Sequence, residues 1–111
     1  MASLTFGCKG LLSGSGSVIP DLQANLFKAV QAGDLKAAQA INDRIYPVAS
    51  VFYAQPWVDM HNRMKEALVL MGKMQKAVVR PPLVKIERAE IERIRKALMQ
   101  AGLLSAKAQA A

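Results

Sequence analysis

Cysteine is almost missing from this chain: Cys8 is the only one in 111 residues. A single thiol excludes an internal disulfide framework and any zinc site built on several cysteines. It fits a reducing, cytoplasmic setting. Histidine is equally scarce, with His61 alone. A metal centre needs several His, Cys or carboxylate ligands converging, and Asp59, two residues away on a helix, points elsewhere. No metal and no cofactor is therefore expected, and His61-Asn62-Arg63 reads as a polar helix face. Aromatics make up 5% of the chain; Tyr46, Phe52, Tyr53 and Trp57 are too few and too apolar in context for a base-stacking platform. No apolar run approaches the ~20 residues that span a bilayer. The first twenty residues hold one Lys and no Arg, so neither a membrane anchor nor a signal peptide is expected.

What is present is an apolar surplus and a lopsided charge. Hydrophobic residues make up 52% of the chain, slightly above the usual share for a soluble domain. A chain this small buries a limited part of its surface, so some of that surface expects a partner. The net charge is +7. Up to residue 60, Lys9, Lys28, Lys36 and Arg44 cancel Asp21, Asp34, Asp43 and Asp59; beyond it, eleven basic residues face only Glu66, Glu87, Glu90 and Glu92. A basic half can track phosphates. Here the basic residues alternate with Glu, the pattern of solvated helix faces, which weighs against nucleic acid as the partner.

Lys9-Gly10-Leu11-Leu12-Ser13 is the one strand candidate: short, apolar on both faces, and leading into Gly14-Ser15-Gly16-Ser17. The rest reads as helices. Pro20-Asp21 opens the first, with Leu22, Leu26, Phe27 and Val30 as its apolar stripe. Gly33 ends it and Asp34 caps the next. That second helix carries Leu35, Ala38, Ile41, Ile45, Val48 and Phe52, and Pro47 inside it predicts a kink or a stop and restart. A third spans about residues 58–71 with Met60, Met64, Ala67, Leu68 and Met71 inward, and Gly72 terminates it. Val78 to Val84 is an extended connector, because residues before proline avoid the α region. The last helix runs from Arg88 to about Gln100 through Ile91, Ile94, Ala97 and Leu98, with Gly102 as its cap.

Candidate chemistry is thin. Gly14-Ser15-Gly16, between a strand and a helix, stands where phosphate loops stand. The third glycine of the dinucleotide fingerprint is replaced by Ile19, and there is no Gly-Lys-Ser/Thr. A flexible turn and a phosphate nest both remain open. Cys8 has no base beside it, and reads as a small core residue. No lysine, Lys9 included, has the apolar pocket that a Schiff-base amine requires.

The order of segments is familiar. Gly10-Leu11-Leu12-Ser13-Gly14, then Val18-Ile19-Pro20, resembles the eighth strand of the dihydrodipicolinate synthase and N-acetylneuraminate lyase family. Ala32-Gly33-Asp34-Leu35 through Asp43-Arg44 is similar to the family's next helical hairpin. Met64-Lys65-Glu66-Ala67-Leu68, Gly72, Val79-Arg80-Pro81-Pro82-Leu83 and the final helix to Ala101-Gly102-Leu103 complete the resemblance, over residues 7–104. It implies a (β/α)₈ (TIM) barrel and class I aldolase or lyase chemistry on pyruvate-type 2-oxo acids; in the isolated chain the unpaired edges of the lone strand and the uncovered Leu11 and Leu12 predict either self-association, as a homo-oligomer, or poor order over residues 1–17. A barrel needs roughly 200 to 250 residues, so the resemblance places this chain as the C-terminal third. The Schiff-base lysine, the proton-relay tyrosine and the carboxylate-binding Gly-Thr/Ser-Thr/Ser segment of the family would all lie upstream. One element carries over: the end of strand eight lines the pyruvate pocket, which by position assigns Leu12 and Ser13 as substrate-binding. Tyr53 to His61 replaces the Asn-Pro-rich segment of the synthases proper, which points to another lyase or dehydratase branch.

The expected molecule is mainly α, one short strand and about four helices, and a fragment of a barrel. Its segments are 1–17 (strand and turn), 18–54 (helical hairpin), 55–104 (helical extension) and 105–111 (tail). It has no catalytic residue, binds a 2-oxo acid only in a complete barrel, and is inactive alone. The other class of reading is a free-standing helical interaction module.

Overall fold

The computed structural model describes residues 1–104; the tail of 105–111 lies outside the described residues. Five α-helices make up most of it: α1 (Ala2–Thr5), α2 (Pro20–Gln31), α3 (Leu35–Phe52), α4 (Met60–Leu70) and α5 (Arg88–Gln100). Short 3₁₀ turns at Gly14–Ser17 and Trp57–Asp59 precede α2 and α4.

The local sequence accounts for the ends of these helices. Pro20 sits in the first turn of α2, where its missing N–H costs nothing. Gly33 takes φ 72°, a left-handed conformation open to glycine, and turns the chain into α3. The Asp34 carboxylate then accepts from the Ala37 N–H at 2.9 Å, filling one of the four donors a helix start leaves unpaired. Pro47 lies inside α3 without ending it: the helix is one unbroken run of 18 residues. Its flanks are anchored by buried Ala38, Val48 and Phe52, and that packing outweighs one lost backbone bond.

The main core joins Val18, Ile19 and Leu22 to Val48 and Phe52 of α3, Met64 and Ala67 of α4, Ile86, and Ile94 and Leu98 of α5. A second cluster of Leu4, Leu26 and Ala38 seats α1 on the α2–α3 pair. The connector 71–87 carries no regular element. It is pinned where the buried Asn62 donates to the Val84 carbonyl at 2.7 Å. The Arg44 guanidinium bonds the Ala101 carbonyl at 3.0 Å, tying α3 to the end of α5. The whole measures 41 × 34 × 21 Å, so it is a slab two helices thick.

Two expectations fail here. The strand at Lys9–Ser13 does not form: among the described residues there is no strand, and the expectation of a TIM-barrel fragment falls with it. The reason is in the backbone: a single extended segment has no ladder to join, and its N–H and C=O groups go to water or to turns instead. Leu11 is half exposed and Leu12 wholly so. The second failure is His61-Asn62-Arg63 as a polar face. His61 is exposed, but Asn62 and Arg63 are buried, Arg63 completely.

Candidate functional site

The 3₁₀ turn of Gly14–Ser17 folds against α2 and α4, Tyr53 reaches it from the end of α3, and a set of polar side chains bonds together there. Ser15, 2% exposed, is its centre. Its hydroxyl lies 2.8 Å from the Ser13 hydroxyl. The Gln23 amide, on the first turn of α2, donates to Ser13 Oγ at 3.0 Å and to Ser15 Oγ at 2.7 Å. From α3's C-cap, the Tyr53 hydroxyl accepts the Ser15 N–H at 3.2 Å and lies 3.3 Å from Ser13 Oγ. Two glycines make the approach possible. A Cβ on Gly14 would come within 3.2 Å of the Met64 side chain, and one on Gly16 within 3.0 Å of Gln23 Oε1.

The cluster forms one wall of a cavity of about 190 Å³. Asn42 adds a further polar group, and Leu11, Leu26, Ile45 and Ala49 supply the apolar side. No carboxylate and no lysine side chain is among the lining residues. Burial pushes the Tyr53 phenol up, but the hydrogen bonds from Ser13, from the Ser15 hydroxyl and from the Ser15 N–H outweigh it. The net effect holds the phenol below the ordinary tyrosine value. Next to this cavity, Lys9, Gly10, Leu11, Pro20, Ala24, Phe27 and Lys28 border a larger open hollow of about 460 Å³ on the other side of Gln23.

Behind Tyr53 sits Arg63. Its Nη1 donates to the Ala54 carbonyl at 2.7 Å and to Phe52 at 3.4 Å, and its Nη2 to Gln55 at 3.3 Å. Its Nε pairs with the Glu90 carboxylate of α5. Carbonyls at the end of a helix lack intrahelical donors and carry the negative end of the helix dipole. A buried guanidinium there is both charge-matched and hydrogen-bonded. The three carbonyls bracket Tyr53 in sequence.

Of the residues singled out from sequence, Ser13 is in the cluster and Leu12, its neighbour, projects into solvent. The Gly-Ser-Gly donors are turned inward: Gly16, Val18 and Ile19 bond carbonyls of the turn itself, and Ser15 bonds Tyr53. That arrangement is a packed turn rather than a phosphate nest. Cys8 is exposed rather than buried in the core. Among the described residues no three His, Cys, Asp or Glu side chains converge as metal ligands, and no helix is long and apolar enough to cross a membrane. Tyr53 and Arg63 were both missed. The one signal for Arg63 is its boundary position on α4, next to the inward Met64.

A cavity with hydroxyl and amide groups on one wall and apolar side chains on the other has the make-up of a small-molecule pocket. Comparison with known proteins makes this narrower: the profile of the dihydrodipicolinate synthetase family matches residues 1–101, and the chain belongs to that family. A 4-hydroxy-tetrahydrodipicolinate synthase of Halorhodospira halophila is 32% identical over 104 residues, 94% of this chain and 33% of that protein. The synthase of Nitrobacter hamburgensis is 33% identical over 105 residues, 95% of this chain and 34% of that one. That of Pseudomonas putida is 34% identical over 101 residues, 91% and 33%. The chain thus spans about a third of the length of the curated relatives it matches. Its reading as a C-terminal third does not stand. The match begins at residue 1 and takes in nearly the whole chain, and the described residues hold none of the strand that reading required.

Proposed function

We propose that this chain is a partial pyruvate-type lyase or aldolase of its family, binding a 2-oxo acid without turning it over. The observation that carries the reading is the cavity beside Ser13: hydroxyl and amide donors on one wall, and no lysine side chain among its lining. Carboxylate and carbonyl oxygens are acceptors, so a wall of Ser, Asn and Tyr donors, with Gln23 bonded to the serines and no competing carboxylate, suits them. The Schiff base of class I aldolases forms on a lysine amine within bonding reach of the ligand's carbonyl, and no lysine lines this cavity. Ser13 acts at the wall; Leu12, turned outward, takes part in substrate binding once its exposed side is covered by a partner surface. The partner proposed is a second copy, in a cytoplasmic homo-oligomer. Nucleic acid has no part in this reading, because the basic residues of the second half alternate with Glu along α5.

The test is direct. With pyruvate and borohydride the chain remains unmodified by mass spectrometry, while pyruvate alone shifts the amide signals of Ser13 and Ser15 in an NMR titration. Stoichiometric reductive labelling of one lysine overturns the inactive assignment. Unmoved Ser13 and Ser15 signals at millimolar pyruvate overturn the binding assignment.

A further inference from the structure

We propose that Tyr53 is the hydroxyl that meets the ligand in the Ser13–Ser15 cavity, and that Arg63 is its positioning residue. The proposal rests on the binding reading above and names two groups that reading did not assign. Tyr53 is the one side chain that both lines the cavity and closes the hydrogen-bonded cluster from α3. The Ser15 N–H occupies one lone pair of its oxygen. The hydroxyl proton is left to point at Ser13 or at a ligand oxygen in the cavity. Donation to a carboxylate oxygen there is a charge-assisted bond, about twice as strong as the neutral bond it would make to a carbonyl.

Tyr53 follows the last residue of α3 and is 39% exposed, so its phenol is held at the hydroxyl by Ser13 and Ser15 and otherwise through its backbone. Its place is fixed from behind. Arg63 is fully buried, and its guanidinium holds the carbonyls of Phe52, Ala54 and Gln55, on either side of Tyr53. Glu90 in turn holds Arg63 from α5. One planar fork therefore fixes the backbone that aims the phenol, and lysine cannot reproduce it, having a point charge in place of a fork.

The ionisable groups around Tyr53 are few. Met1 of the chain start lines the same cavity. His61 on α4 has Nε2 3.8 Å from where a Gly14 Cβ would stand. Arg63 and Glu90 lie behind the phenol's backbone, and the polar side chains that α2 and α3 contribute to the lining are the neutral Gln23 and Asn42.

The experiment follows Tyr53 ionisation by phenolate absorbance in a Tyr46→Phe background, Tyr46 being the only other tyrosine and 70% exposed. Arg63→Lys preserves charge and loses the fork; its Tyr53 midpoint rises towards the free value. Glu90→Gln removes a negative charge, whose direct effect is to lower the midpoint. If Arg63 positions Tyr53, releasing the guanidinium raises it instead. Tyr53→Phe weakens pyruvate binding roughly tenfold, one hydrogen bond's worth, with the helical circular dichroism unchanged. A midpoint unmoved in Arg63→Lys, or lowered in Glu90→Gln, overturns the positioning role. Wild-type pyruvate affinity in Tyr53→Phe overturns the ligand contact. Absence of pyruvate binding to the unaltered chain, with the midpoint still responding to Arg63, instead removes the binding reading and leaves the Arg63–Tyr53 coupling in place.

Discussion

At the scale of single residues, the interior holds two charged side chains of α4 with opposite fates. Arg63 has four acceptors. Glu66, 5% exposed, has one carboxylate oxygen with no hydrogen-bond partner. A buried polar atom left unpaired costs its full desolvation, about 1–3 kcal/mol. Glu66→Met keeps the volume and removes the penalty, so it raises the unfolding free energy in urea by about 1–3 kcal/mol. A lowered urea midpoint would show that Glu66 holds something the unpaired oxygen does not reveal. Both charges were hard to read in the sequence. Periodicity marks Arg63 and Glu66 as neighbours of Met64 and Ala67, but a charged residue at a boundary position defaults to the solvent side. Only the carbonyl of Phe52 at the end of α3 and those of Ala54 and Gln55 just beyond it, eight to eleven residues earlier, make an inward guanidinium favourable. Tyr53 was hidden for the same reason: its partners, Ser13 and Ser15, lie about forty residues away.

At the scale of elements, the four longer helices are legible in the sequence, whereas α1 (Ala2–Thr5) and the extended segment are not. Leu22 and Leu26 face inward on α2, Asp34 caps α3, and α5 runs from Arg88 to Gln100 through Ile94 and Leu98. Each of these is a local matter of stripe, cap and glycine. Asp34→Ala tests the cap: it costs about 1 kcal/mol, read as a fall in thermal midpoint. Loss of the whole α2–α3 pair would mean the cap nucleates rather than trims. Lys9–Ser13 was misread because adjacent leucines suit a strand only if strands flank them. That condition is non-local, and this chain does not meet it. Pro47 was ambiguous in sequence for a related reason, since the burial of Val48 and Phe52 beyond it decided whether α3 continued.

At the scale of the whole molecule, the slab leaves large apolar side chains uncovered in the first segment. Phe6 is 89% exposed and Leu12 fully so. Burying such a side chain is worth about 1.5–3 kcal/mol, so two copies gain by meeting there. The chain is expected to sediment above monomer mass at tens of micromolar, and Phe6→Ser with Leu12→Ser to return it to monomer with its helicity intact. Equal masses for both proteins would remove the homo-oligomer from the reading. The Arg63 clamp has a consequence in time as well as in space. Its bonds reach back only 8 to 11 residues, whereas Arg44 must find Ala101 across 57. Loop-closure entropy makes the longer search dearer by about 1.5 kcal/mol. The corner between α3 and α4 can therefore close first, with Tyr53 already aimed, before the turn at Ser13 returns across the sequence to meet it.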